Sequence, residues 1–67
     1  MKITYDSKAD AMHIRIHRGR YFGAREINED TIIHLDKKGN VLGIELLDVL
    51  KRMPVKQLTK LRISTFK

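Results

Sequence analysis

The chain has 67 residues, no cysteine and a formal net charge of +6. This length predicts one small domain whose core alone supplies only about 3–5 kcal/mol, and without cysteine neither a disulfide nor a thiolate metal site reinforces it. No segment approaches the ~20 apolar residues of a membrane span and no signal-like region is present, so we expect a cytoplasmic protein that self-associates or binds a partner.

Three strands are predicted in the first part of the chain. Residues 1–5 alternate apolar and polar side chains, and a polar turn follows at residues 6–10. Residues 11–17 alternate again. A weaker third strand at residues 21–27 is interrupted by Gly23, which indicates a bulge or an irregular edge.

The strongest local signal is a hairpin. Residues 36–40 (Asp-Lys-Lys-Gly-Asn) separate two alternating runs at residues 31–35 and 41–46. Gly, Asp and Asn reach positive φ at low cost, so the two runs should pair antiparallel. Gly43 inside the second run indicates a bulge or a close approach of a neighbouring chain, or relief of crowding beneath Tyr21 or Phe22.

The period changes after the hairpin. Asp48 is placed to cap one helical turn, and Pro54 suits the first position of a helix. Leu58 and Leu61 then fall on one helical face. Residues 62–66 fit either a helix extension or a last strand, and their β-branched residues favour the strand.

These elements predict an α+β domain. An antiparallel sheet of four to five strands occupies residues 1–47, a short C-terminal helix within residues 48–62 packs on one face, and residues 63–67 form a tail or short strand. The expected core consists of Ile3, Tyr5, Met12, Ile14, Ile16, Ile33, Leu35, Leu42, Ile44, Leu46, Leu50, Leu58 and Leu61. The opposite face carries His13, Arg15, His17, Ile32, His34, Val41 and Glu45.

Two segments of the sequence follow a recognisable order. One is Ile-Thr-Tyr-Asp, Ala-Asp-Ala and an Ile-x-Ile strand within residues 3–16; the other is Leu-Asp-x-x-Gly-Asn-Val-x-Gly-Ile-Glu at residues 35–45, followed by Leu-Asp. From about Met1 to Pro54 the chain resembles the small prokaryotic family known as domain of unknown function 2283.

The resemblance implies a compact β-sheet with a C-terminal helix, and it brings no activity and no catalytic residues. Relatives that lie beside genes for small toxin-like proteins would suggest an antitoxin-like partner. This chain departs from the family pattern by its strong positive charge and by His34, where many relatives carry an acid.

Catalytic and metal sites are poorly supported. His13 and His17 lie four residues apart, about 13 Å on a strand, which is too far for both to bind one zinc ion. Asp6, Asp10 and Asp36 stand where Asp is a common turn residue rather than an acid–base pair. We therefore expect no enzymatic activity, no cofactor and no metal.

Two acid-free basic segments, residues 11–25 and 49–67, favour an acidic partner. In the first, Tyr21 and Phe22 accompany the cations Arg15, Arg18 and Arg20, the combination that contacts single-stranded nucleic acid. Adjacent residues point to opposite faces of a strand, so at most one of the two rings is expected to be a platform, and the other to lie in the core.

We expect a non-catalytic interaction module that self-associates or holds a small protein partner, and an antitoxin-like role is one form of such partner binding. Its contacts would be Ile32, His34 and Val41 on the uncovered face, with edge-strand pairing as the mode. The alternative is a nucleic-acid-binding module that uses Arg15, Arg18, Arg20 and the basic C-terminal segment.

Overall fold

The alternating segments form one six-stranded sheet in a computed structural model, which describes residues 1–63 and 65–66. Strands β1 to β5 pair antiparallel, and β6 pairs parallel with β1, in the spatial order β3-β4-β5-β2-β1-β6. The predicted α+β class with a small antiparallel sheet is confirmed. The strands are β1 (Lys2–Asp6), β2 (Ala11–Arg15), β3 (Gly23–Asn28), β4 (Thr31–Leu35), β5 (Val41–Leu46) and β6 (Thr65–Phe66).

The hairpin between β4 and β5 forms as its turn residues predict. Gly39 has a φ of 86°. The Asp36 carboxylate accepts hydrogen bonds from the backbone N–H of Lys38 and from both the backbone and side-chain nitrogens of Asn40, at 2.9–3.0 Å. These bonds hold the pKa of Asp36 below its usual value, with the Asn40 side chain as the largest cause.

The C-terminal segment contains two short helices rather than the one expected. They are α1 (Val49–Arg52) and α2 (Val55–Leu58), separated by an extended Met53. Pro54 is the residue before α2, so this helix begins one position later than its sequence suggests. Among the described residues, no helix has the length and apolar character needed to cross a membrane.

The start of α1 is capped from a distance. Asp48 has a left-handed backbone (φ 51°) and its side chain makes no capping hydrogen bond, so the predicted cap at this residue is wrong. Asp10 takes that part: its carbonyl oxygen accepts from the Val49 N–H at 3.2 Å, and its carboxylate accepts from the Leu50 N–H at 3.2 Å. Tyr5 donates its hydroxyl to the same carboxylate at 2.8 Å.

The core lies between the two helices and one face of β1, β2 and β5. Its fully buried members are Tyr5, Met12, Val49 and Leu58. Three residues expected in the core, Ile16, Leu50 and Leu61, are instead exposed. The reason is local: Ile16 lies beyond the end of β2, the short α1 buries Val49 instead of its neighbour, and α2 ends at Leu58.

A β-bulge interrupts the β4–β5 ladder. His34 pairs with Gly43 while Leu35 pairs with Val41, so Leu42 is the additional residue. The Leu42 carbonyl accepts hydrogen bonds from the N–H groups of both Ile16 and His17. The irregularity in β3 falls between Glu26 and Asn28, and not at Gly23.

Candidate functional site

A cavity of about 330 Å³ lies on the sheet face opposite the helices. Side chains alternate between the two faces of a strand. Because Met12 and Ile14 of β2 face the helices, His13 and Arg15 face the other way. His13, Arg15, His34 and Gly43 line the cavity from the sheet, and His17, Arg18, Gly19, Tyr21 and Leu42 complete it.

A second, wider concavity of about 760 Å³ adjoins the first, and both share His17 and Tyr21. The β2–β3 connection contributes Arg20 and Phe22 to it. The hairpin turn contributes Asp36, Lys37, Lys38 and Asn40. The cations of two separate loops therefore converge at one end of the sheet.

Gly43 is required at the centre of the first cavity. A Cβ atom at this position would lie 2.8 Å from the carbonyl oxygen of Ile14 and 3.0 Å from Nε2 of His13. The close approach predicted from the sequence is therefore present, but it involves His13 rather than Tyr21 or Phe22. The His13 ring lies over the space that a side chain would otherwise occupy.

Three rings form a connected wall. The ring centroids of His13 and His34 are 5.5 Å apart in an edge-to-face arrangement, and those of Tyr21 and His34 are 5.4 Å apart. Such distances are typical of favourable ring pairs. The wall joins β2, β4 and the β2–β3 connection, elements that the sequence alone does not place together.

His34 and Glu45 form an ion-pair geometry beside this wall, with His34 Nε2 3.3 Å from the Glu45 carboxylate. The pKa of His13 lies below its usual value because the ring is partly removed from water and faces His34 and Arg15; Glu45 opposes this shift. At neutral pH the first cavity therefore presents a His13 ring that is largely uncharged.

The cations of the two cavities lack acidic partners. Within residues 1–63 and 65–66, the His34–Glu45 pair is the only one that brings a basic and an acidic side chain within 4.0 Å. Asp36 is the one carboxylate lining either cavity in that part of the chain, and it is occupied by the turn. The positive charge here is available for an external anion.

The carboxylates considered as catalytic groups hold local structure in place. Asp6 accepts hydrogen bonds from the N–H groups of Lys8 and Ala9, and Asp10 binds Tyr5 and the start of α1. Within the described part of the chain, no group of three or more His, Cys, Asp or Glu side chains is placed to hold a metal ion.

Of the predicted nucleic-acid contacts, the three arginines come together, whereas the described residues of the basic C-terminal segment line neither cavity. Arg15 and Arg18 line the first cavity and Arg20 the second. Tyr21 and Phe22 are 58% and 68% exposed, so the expectation that one of these rings lies in the core is wrong. They follow β2 and precede β3, and a connection does not impose the alternation of a strand.

The residues predicted as a protein interface do not form one cluster. His34 lines the first cavity, whereas Ile32 is half-buried two residues earlier on β4 and pairs with Glu45. Val41 is exposed, and the bulge sets it opposite Leu35 rather than in register with His34. Leu42, which the sequence assigns to the core, is buried and also lines the first cavity.

Sequence reasoning placed His13 and His34 on one face without locating their contact, and it missed the contribution of Lys37 and Lys38. The available signal was Gly43, because a glycine inside a strand marks a close approach. The turn lysines gave no signal beyond their charge, since their distance from Arg20 depends on the fold.

The comparisons with known proteins give a family and no activity. The model of the family described as "Protein of unknown function (DUF2283)" matches residues 2–49, which include all residues of both cavities. No curated protein and no solved structure matches the chain. Since the match covers most of the 67 residues, the chain belongs to the DUF2283 family.

Proposed function

We propose that this protein is a non-catalytic binding module for single-stranded nucleic acid, which it contacts at the loop end of its sheet. The observation that carries the proposal is the convergence of unpaired cations and exposed rings on two adjoining cavities. We place this function in the cytoplasm, as expected from the sequence.

Charge supplies the first part of the argument. A protein that neutralises phosphates releases condensed counterions, which drives binding whatever the sequence of the strand. Arg15, Arg18, Arg20, Lys37 and Lys38 line the cavities, and none has a described carboxylate within 4.0 Å. These side chains therefore need not break an internal ion pair to contact phosphates.

The exposed rings supply the second part. Bases stack on aromatic side chains with about 1–3 kcal/mol per base, and this contact requires single-stranded nucleic acid. Tyr21 lies at the junction of the cavities and Phe22 lines the wider one. Rings beside arginines on a concave surface are suited to alternating base and phosphate contacts.

The positions of the carboxylates favour a binding function over a catalytic one. Asp6, Asp10 and Asp36 all accept hydrogen bonds from backbone N–H groups of turns or of α1. A carboxylate that holds a turn is poorly placed to exchange protons with a substrate.

Fluorescence anisotropy of generic single-stranded RNA and DNA over a salt series tests the function. The double variant Lys37→Ala/Lys38→Ala should weaken binding and reduce the slope of log K against log salt by about 2. Lys56→Ala/Lys60→Ala removes the same charge from the C-terminal segment, where both side chains are exposed and line neither cavity.

Equal losses in the two double variants would contradict the proposed surface, because they would attribute binding to total charge alone. Absence of binding by the parent protein at low salt would contradict the function itself. A loss confined to the Lys37/Lys38 variant supports both.

A second function also has support. It is self-association, or the capture of a small protein in the manner of an antitoxin-like module. No described helix covers the face that carries Ile32, and this chain exposes Phe22, Val55 and Ile27 by more than half. Edge pairing through β3 is disfavoured, because Arg25 and Glu26 are exposed and charged and the strand is irregular there.

Sedimentation velocity over a concentration series tests this second function. A dimer that Val41→Glu dissociates would support self-association through an interface that includes this exposed residue. A monomer at all concentrations, in the parent and the variant alike, would contradict self-association.

A further inference from the structure

The smaller cavity differs from the wider one in its chemistry. Rings and Leu42 make up much of its lining, and the absence of a side chain at Gly43 lets the His13 ring lie against strand β5. Its volume of about 330 Å³ is at the lower end of the roughly 300–1,000 Å³ typical of small-molecule sites. It is therefore of a size for one compact ligand with a flat apolar part.

The ring wall is suited to a planar heterocycle. His34 pairs with both His13 and Tyr21, at centroid distances of 5.5 and 5.4 Å, so it links the other two rings. Glu45 fixes His34 from the other side through the 3.3 Å contact to Nε2. A nucleobase can stack on Tyr21, whose ring is more than half exposed.

The arginines supply an anion-binding end to the same cavity. Arg15 comes from β2 and Arg18 from the connection that follows it, and both also line a small concavity that opens on the neighbouring side. Arginine binds phosphate oxygens through a planar pair of N–H donors, which makes it suited to a terminal phosphate. No described carboxylate lines this cavity, and the Glu45 carboxylate beside it lies 3.3 Å from Nε2 of His34.

We propose that the smaller cavity holds one nucleoside monophosphate unit, with its base against Tyr21, His13 and His34 and its phosphate at Arg15 and Arg18. The inference rests on the proposed nucleic-acid binding, which would supply the ligand in the cell, and it specifies which unit of the nucleic acid this cavity holds. The same chemistry is present at the phosphorylated end of a strand and in a free mononucleotide.

Isothermal titration of the full chain with the four common ribonucleoside 5′-monophosphates, their nucleosides and inorganic phosphate tests the inference. We expect at least one monophosphate to bind about tenfold or more tightly than its nucleoside and than inorganic phosphate. Comparing a 5′-phosphorylated oligonucleotide with its unphosphorylated form then distinguishes the end of a strand from a free nucleotide as the source.

Three variants at exposed positions separate the two ends of the ligand. Arg18→Gln should weaken binding of the monophosphate about tenfold and leave binding of the nucleoside unchanged, whereas Tyr21→Ser should weaken both about tenfold. Lys56→Gln, on α2 and away from the cavity, should change neither. Circular dichroism confirms that each variant is folded.

The inference is overturned if no monophosphate binds, or if binding survives unchanged in both Arg18→Gln and Tyr21→Ser. Its failure is distinguishable from failure of the proposed function. If unphosphorylated oligonucleotides bind through Lys37 and Lys38 but no mononucleotide binds, only the nucleotide site in the smaller cavity is rejected. If mononucleotides bind but oligonucleotides do not, only the proposed binding of single-stranded nucleic acid is rejected.

Discussion

Nε2 of His34 on β4 lies 3.3 Å from the carboxylate of Glu45 on β5, diagonally across the ladder from the directly paired Gly43. Both side chains are partly exposed, at 24% and 34%. The pair orients a ring of the cavity wall at a position where solvent still screens the charges. The pair therefore acts mainly by orienting the His34 ring and by placing the Glu45 charge near the cavity wall.

Replacing Glu45 by Gln should lower the pKa of His13 further. Glu45 raises this pKa against the combined effects of burial, His34 and Arg15, and the substitution removes that opposition. The free energy of unfolding should change by only about 0–1 kcal/mol, as is usual for a screened pair. NMR titration of the His13 ring measures the shift, and a higher His13 pKa in the variant would contradict this assignment of charges.

The stability of the protein should fall as the pH is lowered through about 6.5, the value for a histidine in the unfolded chain. Because the folded-state pKa of His13 lies below that value, the unfolded chain binds more protons in the interval between the two. The free energy of unfolding therefore decreases with falling pH and levels off below the folded-state pKa.

Urea denaturation between pH 7.5 and 5 measures this dependence. His13→Gln should flatten it, because this substitution removes the group whose pKa is lowered by folding. The same slope in parent and His13→Gln would show that another group causes it.

Gly43→Ala should destabilise the fold by about 1–3 kcal/mol. The new Cβ would lie 2.8 Å from the Ile14 carbonyl, so the backbone of β2 or β5 must move, as in an overpacked core. Gly23→Ala is the matched control, since a Cβ there meets no atom within 4 Å. Thermal denaturation of both variants measures the difference, and equal stabilities would contradict the close approach at Gly43.

Leu58→Ala should cost about 2–5 kcal/mol, whereas Leu50→Ala should cost less than about 1 kcal/mol. The Leu58 side chain is 6% exposed and packs in the core, and the Leu50 side chain is 47% exposed. Chemical denaturation of the two variants compares them directly. A larger loss at Leu50 would mean that α1 packs with its other side on the sheet.

The sequence predicts local structure well where a turn determines it. Asp36 and Gly39 define the β4–β5 hairpin through contacts within five residues, so the pattern is complete in the sequence itself. The cap of α1 is different: it comes from Asp10, 40 residues before Leu50. No local pattern contains such a contact, and Asp48 was the nearest residue of the right type.

The candidate site was predicted only in part, for the same reason. Arg15, Arg18 and Arg20 could be chosen from the sequence because they are close together along it. The single-residue bulge at Leu42 changes the register of β5, which places Leu42 at the cavity and Val41 opposite Leu35. Alternation alone cannot locate a bulge, so it could not show that Leu42 lines a cavity or that Val41 lies opposite Leu35.

The parallel pairing of β6 with β1 gives this fold a definite order of assembly. Thr4 and Tyr5 pair with Thr65 and Phe66, so this edge of β1 stays open until residues 65–66 have been synthesised and have left the ribosome. An open edge can pair with another chain, and a domain that closes it late is vulnerable to aggregation during synthesis. Substitutions in β6 should therefore affect the yield of folded protein in cells more than its stability once folded.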